Sequence, residues 1–233
     1  LAEGIDKPRR FLVAMSGGID STVLLHALTK CVEKSQTPIL AIHINHGLHN
    51  DATVWEEHCR TMAANLNVSF VSESVEINLE SGLGLEATAR QVRYNAFHKY
   101  VEEGDWLLSA HHENDQAETL FLNLMRGSGF AGIAGIGALQ NFAYGMLVRP
   151  LLDISGSAIE AYAEQNKLRW IDDPFNLDIR FDRNFLRQEI IPTLAERWPG
   201  VSACLRRSAK LASEASEMLN DLAELDLSAV SIG

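Results

Sequence analysis

Cysteine is scarce in this chain. Three occur among 233 residues, Cys31, Cys59 and Cys204, odd in number, far apart and never as a Cys-x-x-Cys pair. Their scarcity argues against a disulfide framework or a zinc ribbon and for a reducing compartment, so a cytoplasmic protein is expected. Long apolar runs are missing as well. None approaches the roughly 20 residues of a membrane span, so no membrane partner is expected. Lys7, Arg9 and Arg10 precede only a short apolar run, which excludes the long apolar core of a signal peptide. The first residue is Leu1 rather than methionine, and the true start is expected to lie upstream. Basic residues are also in deficit: 20 Lys and Arg against 31 Asp and Glu give a formal net charge of −11. Taken alone, that opposes a generic nucleic-acid binder, because phosphate favours basic surfaces.

The charge is uneven, however. Residues 180–210 hold seven basic side chains, Arg180, Arg183, Arg187, Arg197, Arg206, Arg207 and Lys210, against three acidic ones. Two readings stay open, a strip facing an anionic partner or a solvated helix face with i,i+4 pairs.

A hydrophobic fraction of 46% in a chain of this length suits one large α/β domain, perhaps with an appendage. Strand-like and helix-like patterns alternate. Strands are predicted at Phe11–Ser16, Ile39–Asn45, Ser69–Ile77 and Trp106–Ala110. Helices are predicted at Asp20–Glu33, Asp51–Asn65 with Asp51 as cap, Leu85–Glu102 and Asn114–Met125, with a loop at residues 81–84. This alternation implies a doubly wound, Rossmann-like parallel sheet with helices on both faces and ligands at the carboxyl ends of the strands. Beyond Arg126 the order breaks. A glycine-rich run over 127–137 reads as a mobile lid, and Gln140–Val148 as a strand or hairpin. Ile154–Gln165 reads as a helix and Trp170–Pro174 as a short strand entering a turn. A helix over Asn184–Arg197 should be kinked or split by Pro192. Val201–Asp226 forms a long amphipathic helix, a C-terminal helical extension.

The first strand runs into Ser16-Gly17-Gly18-Ile19-Asp20-Ser21 and then a helix-periodic segment. Two glycines let backbone approach a ligand, and the helix start offers N–H groups and a positive dipole end to an anion. Ser16, Ser21 and Thr22 add hydroxyls, so a phosphate or pyrophosphate is the natural guest. No lysine follows, which excludes the Walker form, and the third glycine of the dinucleotide fingerprint is absent. The second strand ends in His43-Ile44-Asn45-His46-Gly47-Leu48. These histidines could bind metal, contact a nucleotide edge, or be structural. Glu86–Tyr94 sets Arg90 and Arg93 on neighbouring helical turns, where guanidinium groups could meet phosphate. His112, Asp115, Gln116 and Thr119 share one face of a helix start, suited to holding Mg²⁺ on phosphates or steering a proton. Acids answering the helix dipole explain Asp115 equally well.

The Ser16–Ser21 run resembles the pyrophosphate loop of the ATP pyrophosphatases. With His43–Leu48, Glu86–Tyr94, His112–Thr119, Arg126–Gly129, Arg149–Leu152, Asp172–Asn176 and Arg183–Arg187 in that order, the chain resembles the tRNA(Ile)-lysidine synthetase family over roughly residues 11–190. The resemblance implies a fold of the adenine nucleotide alpha hydrolase type and a two-step ligase. The wobble cytosine of tRNA(Ile) is adenylated with ATP at carbon 2, and free L-lysine then displaces AMP, changing the codon read from AUG to AUA. It further implies ATP and Mg²⁺, a CAU-anticodon tRNA partner and a possible homodimer. Ser16, Gly17, Gly18, Ile19, Asp20, Ser21 and His43 are expected on ATP. Asp20, Arg93, His112 and Asp115 are expected in catalysis, with Asp20 and Asp115 on metal. Arg183, Arg187, Arg206 and Arg207 are expected on tRNA. Residues 1–199 would form the catalytic domain, and 200–233 a helix leading to absent tRNA-binding domains. Rival readings are another pyrophosphate-loop enzyme (a tRNA thiolase, an NAD synthetase or a GMP synthetase) and a non-catalytic nucleotide-binding module. Thiolases that use catalytic cysteines need thiols near the loop or in Cys-x-x-Cys pairs, which this chain is expected to lack.

Overall fold

A computed structural model describes residues 7–32, 36–47, 51–76 and 85–230. Glu33, Leu48, Ile77 and the 81–84 loop, all part of the expectations above, lie outside the described residues. The chain forms two compact units that alternate along the sequence. One comprises Leu1–Ala110, Leu139–Pro150 and Ser157–Asp172, the other His111–Ala138, Leu151–Gly156 and Asp173–Gly233.

The first unit is a six-stranded sheet, ordered β3-β2-β1-β4-β6-β5. Its strands are β1 (Arg10–Met15), β2 (Ile39–Asn45), β3 (Ser69–Ser74), β4 (Asp105–Leu108), β5 (Leu139–Phe142) and β6 (Gly145–Val148). All pairings are parallel except the β5–β6 hairpin. Helices α1 (Ile19–Val32) and α2 (Ala52–Asn65) join strands that step one way along the sheet, so right-handed crossovers set both on one face. After β3 the chain reverses towards β4, and α3 (Leu85–His98) goes to the other face. The core follows the period-2 alternation of the strands. Leu12, Ile42 and Ile44 pack under Ala96 and Phe97 of α3. On the α2 face His43 meets Cys59, Sγ to Nδ1 3.6 Å.

The boundaries deviate in instructive places. Asp51 precedes α2 but makes no side-chain cap bond, because its φ of −89° and ψ of 10° leave the extended conformation a cap needs. Helix α3 stops at His98 rather than at residue 102. Lys99 and Tyr100 close it with bonds to the carbonyls of Ala96 and Phe97, and Asp105 Oδ2 accepts from the Glu102 N–H, 3.1 Å. Trp170–Pro174 forms no strand, and Ile171 N–H donates to Gly17 C=O of the loop after β1, 2.9 Å.

In the second unit, α4 (Glu113–Met125) leads to a short α5 (Phe130–Ile133) inside the glycine-rich run. That run carries specific bonds as well as α5. Gln116 takes the Ile136 N–H at 2.6 Å and donates to the Ile136 carbonyl at 3.1 Å, and Asn123 donates to Gly132 C=O at 2.6 Å. After α6 (Gly156–Gln165), which from Ser157 onward belongs to the sheet unit, come α7 (Asp182–Phe185), a π turn (Leu186–Ile190) and α8 (Ile191–Arg197). Pro192 sits in the first turn of α8, where no N–H is needed, directly after the π turn, so the segment over Asn184–Arg197 is split at the proline as expected. Helix α9 (Val201–Val230) packs along α4, α5 and α8.

Asp105 anchors the sheet. It is fully buried at the start of β4 and accepts from Arg10 at 2.5 Å and Arg9 at 3.2 Å. Burial alone would raise its pKa, but the guanidinium and backbone donors hold it below the ordinary aspartate value. Its contribution is therefore complete above about pH 4 and is lost as pH falls through the depressed folded value. Asp105→Asn should lower stability by about 2 kcal/mol at pH 7. Urea unfolding should show that deficit shrinking as the wild type is acidified; an equal deficit at pH 7 and pH 3 would count against the ion pair.

Candidate active site

The turn after β1 is shaped by one hydroxyl. Ser21 Oγ accepts from the N–H groups of Ser16 and Gly17, both at 3.2 Å, and donates to the Gly18 carbonyl at 3.1 Å. Gly18 N–H donates to Ser16 Oγ, 3.3 Å. Gly17 has φ +89°, and a Cβ there would lie 3.2 Å from Cys59 Sγ, so both conformation and space call for glycine. Ser21 and Thr22 are buried, and the Ser21 hydroxyl builds the loop rather than standing in the open as the sequence suggested, whereas Thr22 Oγ1 makes no hydrogen bond among the described residues. What the loop presents is the start of α1, Ile19–Asp20–Ser21, whose first-turn N–H groups have no intrahelical acceptor. Asp20 belongs to that turn and is half-buried.

At the neighbouring strand end, His43 is buried with Nδ1 2.9 Å from the Met15 carbonyl. A carbonyl only accepts, so that nitrogen carries the proton. Burial lowers its pKa, which leaves Nε2 as a bare acceptor. His46 is pushed down to about 4 by burial and by the charges of Arg93 and His43. Both imidazoles are thus neutral at pH 7.

The second unit carries a separate ionic cluster on α4. Asp115 Oδ2 accepts from the His112 backbone N–H at 2.8 Å and lies 2.6 Å from His112 Nδ1, a capping box that starts the helix. Burial would raise the Asp115 pKa, yet the His112 hydrogen bond and the charges of His112 and His111 hold it well below the carboxylate range. One turn on, fully buried Glu118 receives a two-point contact from Arg187, Nε–Oε1 2.7 Å and Nη2–Oε2 3.1 Å. Arg187 Nη2 also reaches Asp115 Oδ1 at 3.4 Å, and Arg183 donates to Thr119 Oγ1 at 3.3 Å. Burial raises the Glu118 pKa, while the fork of Arg187 keeps it paired.

A family model, the PP-loop domain, matches residues 1–194. The chain belongs to the PP-loop family. Membership implies use of ATP. Relatives named tRNA(Ile)-lysidine synthase are similar at 46% identity over 217 residues in Coxiella burnetii and 45% over 218 residues in Proteus mirabilis. Both alignments take in 93% of this chain but 48% and 49% of the relatives, so the chain spans about half their length. A solved U34-tRNA thiolase, NcsA from Methanococcus maripaludis with its [4Fe-4S] cluster, superposes with a TM-score of 0.73 at 18% identity. It covers 90% of this chain and 74% of the thiolase, a likeness of fold.

Within this PP-loop chain the expected site residues separate by unit. Ser16, Gly17, Gly18, Ile19, Asp20, Ser21, His43 and Arg93 belong to the sheet unit; His112, Asp115, Arg183, Arg187, Arg206 and Arg207 belong to the other. The expected basic strip is largely answered by acids. Arg187 engages Glu118, and Arg206 donates to Glu113 at 3.1 Å and Asp153 at 2.6 Å, while Arg207 is exposed. Gln116 leaves the chemical face to fasten the glycine-rich run. Glu118 escaped the sequence reading, although its i+3 spacing from Asp115 against an Arg183/Arg187 i,i+4 pair was the available signal.

Arg187→Ala would leave Glu118 buried without its fork and should cost about 2–3 kcal/mol at pH 7. Glu118 has a raised folded pKa, so ionising it costs stability as pH rises past its unfolded value. The variant's deficit in denaturant midpoint should therefore shrink below pH 4; one that grows there would contradict the pairing.

Proposed function

We propose that this chain carries the catalytic portion of a tRNA(Ile)-lysidine synthetase. The supporting observation is identity of 43–46% sustained over 92–94% of the chain with relatives of that name. The motif set running from Ser16 to Arg187 agrees with it.

In this reading O2 of the wobble cytosine attacks the α-phosphorus of ATP, and the bond to the bridging oxygen breaks to release pyrophosphate. The ε-amine of free L-lysine then attacks carbon 2, AMP leaves with its oxygen, and the amine loses a proton. The first-turn N–H groups of α1 stabilise the departing pyrophosphate as prearranged donors. Arg93 offsets phosphate charge. His43 Nε2 meets the nucleotide, and Asp115 with His112 orients the incoming amine. Among the described residues no cluster of three or more metal-ligating side chains occurs. Mg²⁺ would be held chiefly by the nucleotide's phosphates, with Asp20 of the sheet unit and Asp115 of the other unit each a candidate carboxylate taken separately. It would offset phosphate charge when bound.

The partner is a tRNA(Ile) with a CAU anticodon, contacted by Arg207 and by those of Arg183, Arg187 and Arg206 that exchange their carboxylates for phosphate. A cytoplasmic homodimer fits the reading, with residues 1–199 catalytic and 200–233 leading towards tRNA-binding chain. The thiolase alternative is disfavoured by Cys59, whose buried thiol is pushed up to about 12 and stays protonated.

Asp20→Ala and Gly18→Val should each cut ATP-dependent pyrophosphate release at least a hundredfold while the far-ultraviolet circular dichroism is unchanged. In cells depleted of the protein, mass spectrometry of tRNA should show loss of lysidine. Lysidine persisting at its normal level would overturn the assignment.

A further inference from the structure

The sheet unit holds a cavity that none of the loop chemistry uses. It has a volume of about 370 Å³ and lies between α3 and the β5–β6 hairpin. That volume is within the range of small-ligand sites. Arg90, Tyr94 and His98 line one wall, spaced i, i+4, i+8 so that they share one face of α3. Gln140, Asn141 and Arg149 line the other. None of the described lining residues is acidic, in a chain of net charge −11.

Arg149 is the built part of this wall. It is 5% exposed at the end of β6, and its Nη2 reaches Gln140 Oε1 at 3.4 Å. Its pKa is lowered, first by burial and also by the like charge of Arg90, while Tyr94 opposes that shift. The fold therefore brings two guanidinium groups near one another. Like charges gathered in a concave site attract an anion. The remaining chemistry is planar and amide. Arg90 lies over the Tyr94 ring at 4.9 Å, and Tyr94 meets Phe142 edge-on at 5.8 Å between centroids. His98 and Phe142 stand 4.2 Å apart. Gln140 and Asn141 offer amide groups, each both donor and acceptor.

From this we infer that the cavity is a second nucleotide pocket, which holds one unpaired nucleotide of the RNA partner. Arg90 and Arg149 take its phosphate, the aromatic side chains pack its base, and the Gln140 and Asn141 amides meet the base edge. This is how unpaired bases are read, by stacking and edge hydrogen bonds beside a charged backbone clamp. The inference rests on the tRNA reading above but concerns binding, not modification.

The test uses the full chain and a fluorescein-labelled transcript of tRNA(Ile) with a CAU anticodon, followed by anisotropy across a salt series. Arg149→Gln and Arg90→Gln should each weaken binding roughly tenfold. Each should also reduce the slope of log affinity against log salt by about 0.7, the single-strand value per phosphate contact. ATP affinity, measured separately, should stay within twofold of wild type. Arg90 is half-buried on a helix surface, so Arg90→Gln remains informative if Arg149→Gln fails to fold. Unchanged RNA affinity and salt slope in a folded Arg90→Gln variant would overturn the inference. So would a loss of ATP affinity in step with RNA affinity, which would assign the cavity to ATP. If lysidine is never formed but these variants still weaken RNA binding, the pocket stands and the ligase assignment falls.

Discussion

Strand β1 is the constraint on which the sheet unit depends. It is bonded on both edges, to β2 and to β4, and Leu12 and Val13, which point to opposite faces, are both fully buried. A strand so enclosed can leave the sheet only at its end. The chain steps from β1 outward to β2 and β3, then returns to the other side of β1 for β4. The crossover helices consequently diverge to opposite faces, and the carboxyl end of β1 faces the gap between them. The Ser16–Ser21 turn occupies that end because topology leaves room there. The same reversal brings β6 alongside β4 and so carries the hairpin near α3, which creates the cavity there.

Charge is handled differently in the two units. On α4 the buried acids Glu113 and Glu118 are each met by arginine, so the acidic excess of the chain is partly consumed inside it. Near α3 the arginines face aromatic and amide groups. A chain with an overall negative charge can still present local positive sites, because interactions with phosphate are short-ranged in physiological salt. Net charge thus argued against indiscriminate RNA binding and did not exclude recognition at a defined pocket.

The sheet was legible where periodicity is strong. Ile39–Asn45 was read with its observed bounds, and the Ser16–Ser21 turn with its strand and helix followed from glycine placement and apolar patterning. Failures came where a tertiary partner decides. Trp170–Pro174 has strand-like residues but no ladder to join, and α3 ends early because Asp105, several residues on, claims the turn. The basic strip looked open because no local spacing announces that Arg206 meets Glu113, 93 residues away. Arg149 and Arg90 were quoted in separate motifs, and only the pairing of β4 with β6 makes them neighbours. The candidate site was therefore legible motif by motif but not as an assembly.

The hydroxyl of Ser21 has one more consequence. By bridging Ser16, Gly17 and Gly18 it gives the loop a template written into its own sequence. Ordering a floppy glycine turn at the moment of association would drain affinity, since glycine has the most backbone freedom to lose. A loop that is already set loses little entropy on binding. Glycine here supplies reach, and serine supplies rigidity.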